Sequence, residues 1–121
     1  MNTQVRNYLI ELAKRRQIIY YQDLCDKCRL RLNMSEPQDR IEIGRILGEI
    51  SEYEYKHNRP LLSAIVLSKG SGVEGNGFYK LCENLGITNN WKLLRENDFS
   101  IKEIRKAHDF WREDNNYQNY H

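Results

Sequence analysis

Residues 61–67 are the one segment of this sequence with the composition of a buried β-strand. The run Leu-Leu-Ser-Ala-Ile-Val-Leu follows Pro60, contains β-branched residues, and leads into a glycine-rich stretch. Most of the remaining chain instead repeats apolar residues at the three- and four-residue spacing of an α-helix. A single clear strand among several helices predicts an α+β fold in which helices predominate.

The helical spacing predicts several separate helices. They cover residues 2–16, Leu24 to Leu32, about 39–57, Phe78 to Leu85, and a turn or two from Trp91. Ser100 and Glu103 match a capping box and predict the start of a further C-terminal helix. Residues 115–121 are polar and contain two tyrosines, which predicts a flexible tail behind a single domain over residues 1–114.

Two glycines lie one turn apart inside the third predicted helix. Gly44 and Gly48 both lower helix propensity. We therefore expect them to admit a closely packed neighbouring backbone.

Length, charge and cysteine content limit the class of protein. The 121 residues suffice for one core, and the three cysteines are an odd number, which favours reduced thiols. No apolar run is long enough to cross a bilayer and no signal peptide is recognisable, so we expect a cytoplasmic location and no membrane partner. The net charge of +2 is too small for a strong polyanion binder. Its distribution is uneven, since residues 1–35 and 58–80 are basic.

Two motifs have both a functional and a structural interpretation. Cys25 and Cys28 have the spacing of half a zinc site or of a redox pair, but no second pair follows, which favours core packing. Residues 70–75 spell G-x-G-x-x-G, yet one strand cannot supply the parallel sheet of a dinucleotide-binding fold. A β-hairpin tip is the simpler interpretation. We therefore expect neither a metal nor a nucleotide cofactor.

No set of residues in the sequence suffices for catalysis. The histidines are scattered, and Ser63 lacks the glycine pattern of a nucleophile elbow. Tyr20 and Tyr21, next to a basic region, could stack on bases while cations hold phosphates. Core packing is the alternative interpretation, especially for Tyr20.

Over about residues 5–86, the order of motifs resembles the C-terminal winged-helix domain of the O6-alkylguanine-DNA alkyltransferases and their alkyltransferase-like relatives. That family has T-Y-G-x-L-A at a helix start, R-A-V-G-x-A-L on the recognition helix, P-C-H-R-V-V, and a glycine-rich hairpin. The corresponding stretches here are Tyr20 to Cys25, Ile41 to Gly48, Pro60 to Val66, and Gly70 to Gly77. The resemblance implies a winged-helix-like helix-turn-helix with a small β-hairpin.

The departures from the family pattern imply a protein without alkyltransferase activity. Leu61 and Leu62 occupy the places of the alkyl-accepting cysteine and its histidine partner, so no thiolate can form there. Ile41 replaces the arginine that fills the gap left by a flipped base, although Arg40 is adjacent. Tyr21 remains at the position that the family uses to rotate the nucleotide.

The leading hypothesis is a non-enzymatic winged-helix module that binds DNA with modest affinity. It places Tyr21, Arg40 and Arg45 near the nucleotides and Lys69 on the wing. One alternative is a protein-protein interaction or homodimerisation module that docks through Trp111, Tyr117 and Tyr120. Another is an enzyme with a pocket at Pro60 to Gly77.

Overall fold

The computed structural model describes residues 1–69 and 76–121. Their elements in chain order are α1 (Thr3–Lys14), β1 (Ile19–Tyr20), α2 (Tyr21–Lys27), α3 (Pro37–Lys56), a 3-10 helix (Leu62–Ile65), β2 (Val66–Leu67), α4 (Asn76–Asn84), α5 (Trp91–Glu96), α6 (Phe99–Arg112) and α7 (Asp114–Tyr120). The predicted mainly helical α+β class is confirmed. None of the helices in the described ranges is long and apolar enough to span a bilayer.

The small sheet pairs two distant segments in parallel. Ile19 lies opposite Val66, and Tyr20 lies opposite Leu67. The predicted strand over residues 61–67 is confirmed only for its last two residues, because Leu62–Ile65 form a 3-10 helix. All side chains from Leu61 to Leu67 are buried. A fully buried apolar segment is compatible with a helical turn as well as with a strand. The predicted hairpin tip lies outside the described residues.

The core consists of two clusters of buried side chains. The larger one unites α1, α2, α3 and α6 around Leu62 and Ile65, and it includes the fully buried Trp111. The smaller one packs Leu61 against Phe78 and Cys82 of α4. Leu61 and Leu62 are only 1% and 0% exposed, as expected of hydrocarbon side chains in the core.

A buried ion triad joins the beginning of the chain to its middle. The carboxylate of Glu54, on α3, accepts one hydrogen bond from Arg6 Nε and one from Arg59 Nε, each at 2.7 Å. All three side chains are buried. Arg6 also donates to the carbonyl oxygen of Tyr120 at 2.6 Å, so the triad fixes α7 as well.

The predicted capping box at the start of α6 is wrong. The helix begins at Phe99, with Asp98 in the left-handed region (φ 57°) at the N-cap, and no side chain caps it. Ser100 is buried, and the Glu103 carboxylate instead accepts a hydrogen bond from the backbone nitrogen of Leu61 at 2.8 Å. A tertiary contact thus uses the carboxylate that the local motif assigned to the cap.

The C-terminal residues form α7, in contrast to the flexible tail expected from their polar composition. The Tyr117 hydroxyl donates to Glu11, and the ammonium group of Lys14 lies 3.7 Å from the centroid of the Tyr117 ring. Both partners belong to α1. Contacts with a helix more than 100 positions earlier in the chain therefore order this segment, and composition alone could not indicate them.

Candidate functional site

A cavity of about 480 Å³ opens between α3 and α4. We call it the α3–α4 cavity. Tyr21, Arg40 and Lys69 line it, and they come respectively from the start of α2, from α3 and from the residues after β2. Tyr21 follows β1 directly, and Lys69 comes two residues after the end of β2. The parallel pairing of β1 with β2 therefore brings these two residues to the same end of the small sheet.

Three of the four predicted site residues therefore meet at one place, whereas Arg45 does not. Its guanidinium is hydrogen-bonded to Glu42 and to Glu49 on the same helix, and it lies outside the described lining of the cavity. The hydrogen bond with Glu42 and the charges of both carboxylates raise the pKa of Arg45 above its ordinary value. Arg45 is thus exposed but already paired.

The α2–α3 loop, residues 28–36, is held against the cavity by hydrogen bonds. Gln22 Nε2 donates to the carbonyl oxygen of Leu32 at 3.0 Å, and Gln22 Oε1 accepts from the backbone nitrogen of Met34 at 2.8 Å. Arg40 Nη1 donates to the carbonyl oxygen of Met34 at 3.1 Å. Both Gln22 and Met34 line the cavity, so the loop fixes this part of its wall.

The expectation that both α3 glycines contact a close neighbour is wrong for Gly44. Among the described residues, a Cβ at Gly44 would meet no heavy atom within 4 Å, and one at Gly48 would meet only Leu81 Cδ1, at an ordinary 3.8 Å. Both glycines line the α3–α4 cavity. The missing side chains therefore leave open space along α3 rather than allow tight helix packing.

The rest of the described lining is largely apolar. Ile43 and Leu47 contribute one wall from α3, and Phe78 and Leu81 contribute the opposite wall from α4. All four lie within predicted helices, and no sequence motif indicates a site at any of them. Because α4 turns the same apolar face toward the core and the cavity, the helical spacing could not distinguish the two environments.

Titratable groups in the described lining are few. Arg40 and Lys69 are its only residues with an ionic side chain, and it contains no aspartate, glutamate, histidine or cysteine. Ser63 also lines the cavity, but its hydroxyl accepts a hydrogen bond from the Ser51 hydroxyl at 2.7 Å. Arg40 and Lys69 make the described lining of the cavity electropositive, which suits an anion with an apolar or aromatic body.

The two cysteines of the C-x-x-C pair are buried, free thiols in the larger core cluster. Burial raises the pKa of Cys25 from 9.0 to about 11, and the charge of Asp26 adds to the rise. Burial also raises the pKa of Cys28. Their packing in the core agrees with the structural interpretation. Within the described ranges, no group of three or more His, Cys, Asp or Glu side chains could hold a metal.

The aromatic residues near the C-terminus contact the protein's own core and helices. Trp111 is fully buried, the Tyr117 hydroxyl donates to Glu11, and the Tyr120 ring stacks on Phe110. Arg59 also lies 5.2 Å from the centroid of the Tyr120 ring. A docking surface built from Trp111 and these two tyrosines would therefore require α7 to leave α1.

A scan against protein-family models, a search of curated proteins and a search of solved structures each found no match to this chain.

Proposed function

We propose that this chain is a non-enzymatic winged-helix module that contacts DNA at the mouth of the α3–α4 cavity. The observation that carries the proposal is the meeting of Tyr21, Arg40 and Lys69, from three separate segments, around one electropositive cavity. The guanidinium and ammonium groups suit phosphate oxygens, and an aromatic ring suits a nucleotide base. The cavity volume is within the range of small-ligand pockets.

The proposed absence of catalysis depends on the residues after Pro60. Under the alkyltransferase resemblance, Leu61 and Leu62 replace the reactive cysteine and its partner, and both are buried hydrocarbon. Neither side chain can attack an alkyl group or transfer a proton. Recognition without group transfer is therefore the activity that we propose.

The contact on α3 is limited to its N-terminal half. Beyond Arg40 and Gly44, the exposed cations Arg45 and Lys56 are already paired with Glu49 and Glu52, so this part of the helix offers phosphates little net positive charge. With two cations at the cavity and a net charge of +2, binding should be modest and should weaken steeply with salt.

Fluorescence anisotropy of a labelled DNA duplex, at low and physiological salt, tests the proposal. The variant pair Arg40→Gln and Lys69→Gln, combined in one protein, should weaken binding about tenfold or more at low salt. It should also reduce the slope of log K against log salt by about two, since each phosphate contact contributes roughly 0.9.

Arg45→Gln is the matched control, because Arg45 is an exposed arginine of the same helix that is already paired with Glu42 and Glu49. It should leave the affinity within about twofold of the wild type, since it removes no phosphate contact. The proposal fails if the wild-type protein does not bind at low salt. It also fails if Arg45→Gln weakens binding as much as the cavity variant does.

A further inference from the structure

Three cationic side chains surround the ring of Trp91, at the start of α5. Lys80 Nζ lies 5.5 Å from the ring centroid, Lys92 Nζ 5.7 Å and Arg95 Cζ 5.4 Å. We call these four residues the Trp91 cage. Each cation is at a distance typical of a cation–π contact, so the ring gathers three positive charges at one place on the surface.

The ring of the Trp91 cage is held in a fixed position. The backbone nitrogen of Trp91 donates to Glu83 Oε2 at 3.1 Å. The Trp91 side chain is partly buried and packs against the smaller core cluster. Arg95 Nη1 donates to Asn76 Oδ1 at 2.9 Å. The cage therefore joins α4 to α5 around a rigid aromatic platform.

The cations of the cage make no ion pair within the two described ranges. Arg45 and Lys56, in contrast, are each paired with a carboxylate on their own helix. Lys80, Lys92 and Arg95 are also exposed to solvent. The Glu83 carboxylate reaches the Trp91 backbone nitrogen but forms no ion pair with any of the three cations. Three like charges held close together and unpaired among the described residues favour an anionic partner with several charges in a row.

Helix α4 contributes residues both to the Trp91 cage and to the α3–α4 cavity. Phe78 and Leu81 of this helix line the cavity, while Lys80, between them in sequence, belongs to the cage. A helix is about 10–12 Å across with its side chains. Charges along one strand of DNA recur about every 3.4 Å of helix axis, so roughly three or four nucleotides would cover this distance.

We propose that the Trp91 cage is a second phosphate-binding contact, which holds the backbone of the nucleic-acid strand that reaches the α3–α4 cavity. The inference rests on the proposed function and extends it to a surface that the sequence analysis did not identify. Arg95 would present its planar donor fork to phosphate oxygens, and Lys80 and Lys92 would act as point charges. The strand would cross α4 between the two contacts.

A triple variant, Lys80→Gln, Lys92→Gln and Arg95→Gln, tests the cage with the same labelled duplex. Its affinity should fall about tenfold or more at low salt, and the salt slope should fall by about two to three. The control is the triple variant Lys102→Gln, Arg105→Gln and Arg112→Gln. It removes three exposed cations of α6 that likewise make no ion pair among the described residues. Equal losses in the two triple variants would show a general charge effect and overturn the cage contact.

Tryptophan fluorescence provides a second and local measurement. Trp91 is partly exposed and Trp111 is fully buried, so DNA that contacts the cage should change the emission of the wild type. The change should be absent in Trp91→Phe. A change that persists in Trp91→Phe at full strength would contradict the assignment.

The two proposals fail in different ways. If the cage variant binds like the wild type while the Arg40/Lys69 variant binds weakly, the cage contact is refuted and the cavity contact remains. If the cage variant alone binds weakly, the cavity contact is refuted, and with it the shared strand; the cage then remains only as a separate phosphate contact. A wild-type protein that binds no DNA at low salt refutes both.

Discussion

Replacing Glu54 with glutamine should be among the most destabilising single substitutions in this protein. Each carboxylate oxygen of Glu54 accepts one arginine Nε at 2.7 Å, and the side chain is 0% exposed. Glu54→Gln keeps the size of the side chain but turns one hydrogen-bond acceptor into an amide that faces a guanidinium. It also leaves Arg6 and Arg59 buried without their carboxylate.

The magnitude follows from these contacts. One lost hydrogen bond to a charged group costs about 1.5–3 kcal/mol, and removing one partner of a buried ion pair costs about 3–5 kcal/mol in all. We expect the free energy of unfolding to fall by about 3–5 kcal/mol. Since domains of this kind are stable by about 5–15 kcal/mol, the variant should fold but with a much lower denaturation midpoint.

Urea denaturation followed by tryptophan fluorescence, to which the buried Trp111 contributes, measures the effect. The control is Glu52→Gln on the same helix, where an exposed pair with Lys56 should contribute less than about 1 kcal/mol. The reasoning is refuted if the two variants differ by less than about 0.5 kcal/mol. A triple variant with methionine at Arg6 and Arg59 and leucine at Glu54 should lose less stability than Glu54→Gln, because it buries no unpaired charge.

Three further predictions concern stability. Gly44→Ala should raise the free energy of unfolding by up to about 1 kcal/mol in urea denaturation, because the new Cβ meets no atom of residues 1–69 and 76–121 within 4 Å. A loss of stability would contradict the open wall at this position. Between pH 9 and about 11 the stability should fall by up to about 2 kcal/mol, because unfolded Cys25 loses its proton near 9.0 whereas the folded thiol keeps it to about 11. Cys25→Ala should flatten that decline in a pH series, and an unchanged slope would contradict the assignment. Tyr117→Phe should lower the midpoint of thermal unfolding, because it removes the hydrogen bond to Glu11. Tyr55→Phe, whose side chain is exposed, should leave that midpoint unchanged.

Local spacing determined most of the helices. Apolar residues three and four positions apart predicted α1, α3 and α4, because a helix that packs on one side must place them so. The second helix is shorter than predicted. It ends at Lys27, and the backbone at Arg29 and Arg31 then turns into the left-handed region. Leu30 and Leu32 pack against the core from the loop that follows. Their apolar side chains therefore extended the helical spacing in the sequence beyond the end of the helix itself.

The candidate site was only partly predictable from the sequence, because it depends on which segments meet in the folded chain. The family resemblance predicted Tyr21, Arg40 and Lys69 as DNA contacts, and the structure places all three around one cavity. It also ranked Arg45 with them, although Arg45 is paired with Glu42 and Glu49 one turn away on either side. The Trp91 cage gave no recognisable motif, because its cations come from two helices that meet only in the folded chain.

The sequence by itself determined the helices with regular apolar spacing, α1, α3 and α4, since that spacing depends on neighbours within one or two turns. Only the tertiary structure decided that Glu103 bonds to Leu61 rather than to its own helix start, and that residues 114–120 pack on α1. Those outcomes depend on groups dozens of positions apart. A local pattern cannot indicate which distant carboxylate, ring or amide a buried polar group will meet, and such a meeting forms the ion triad of Arg6, Glu54 and Arg59.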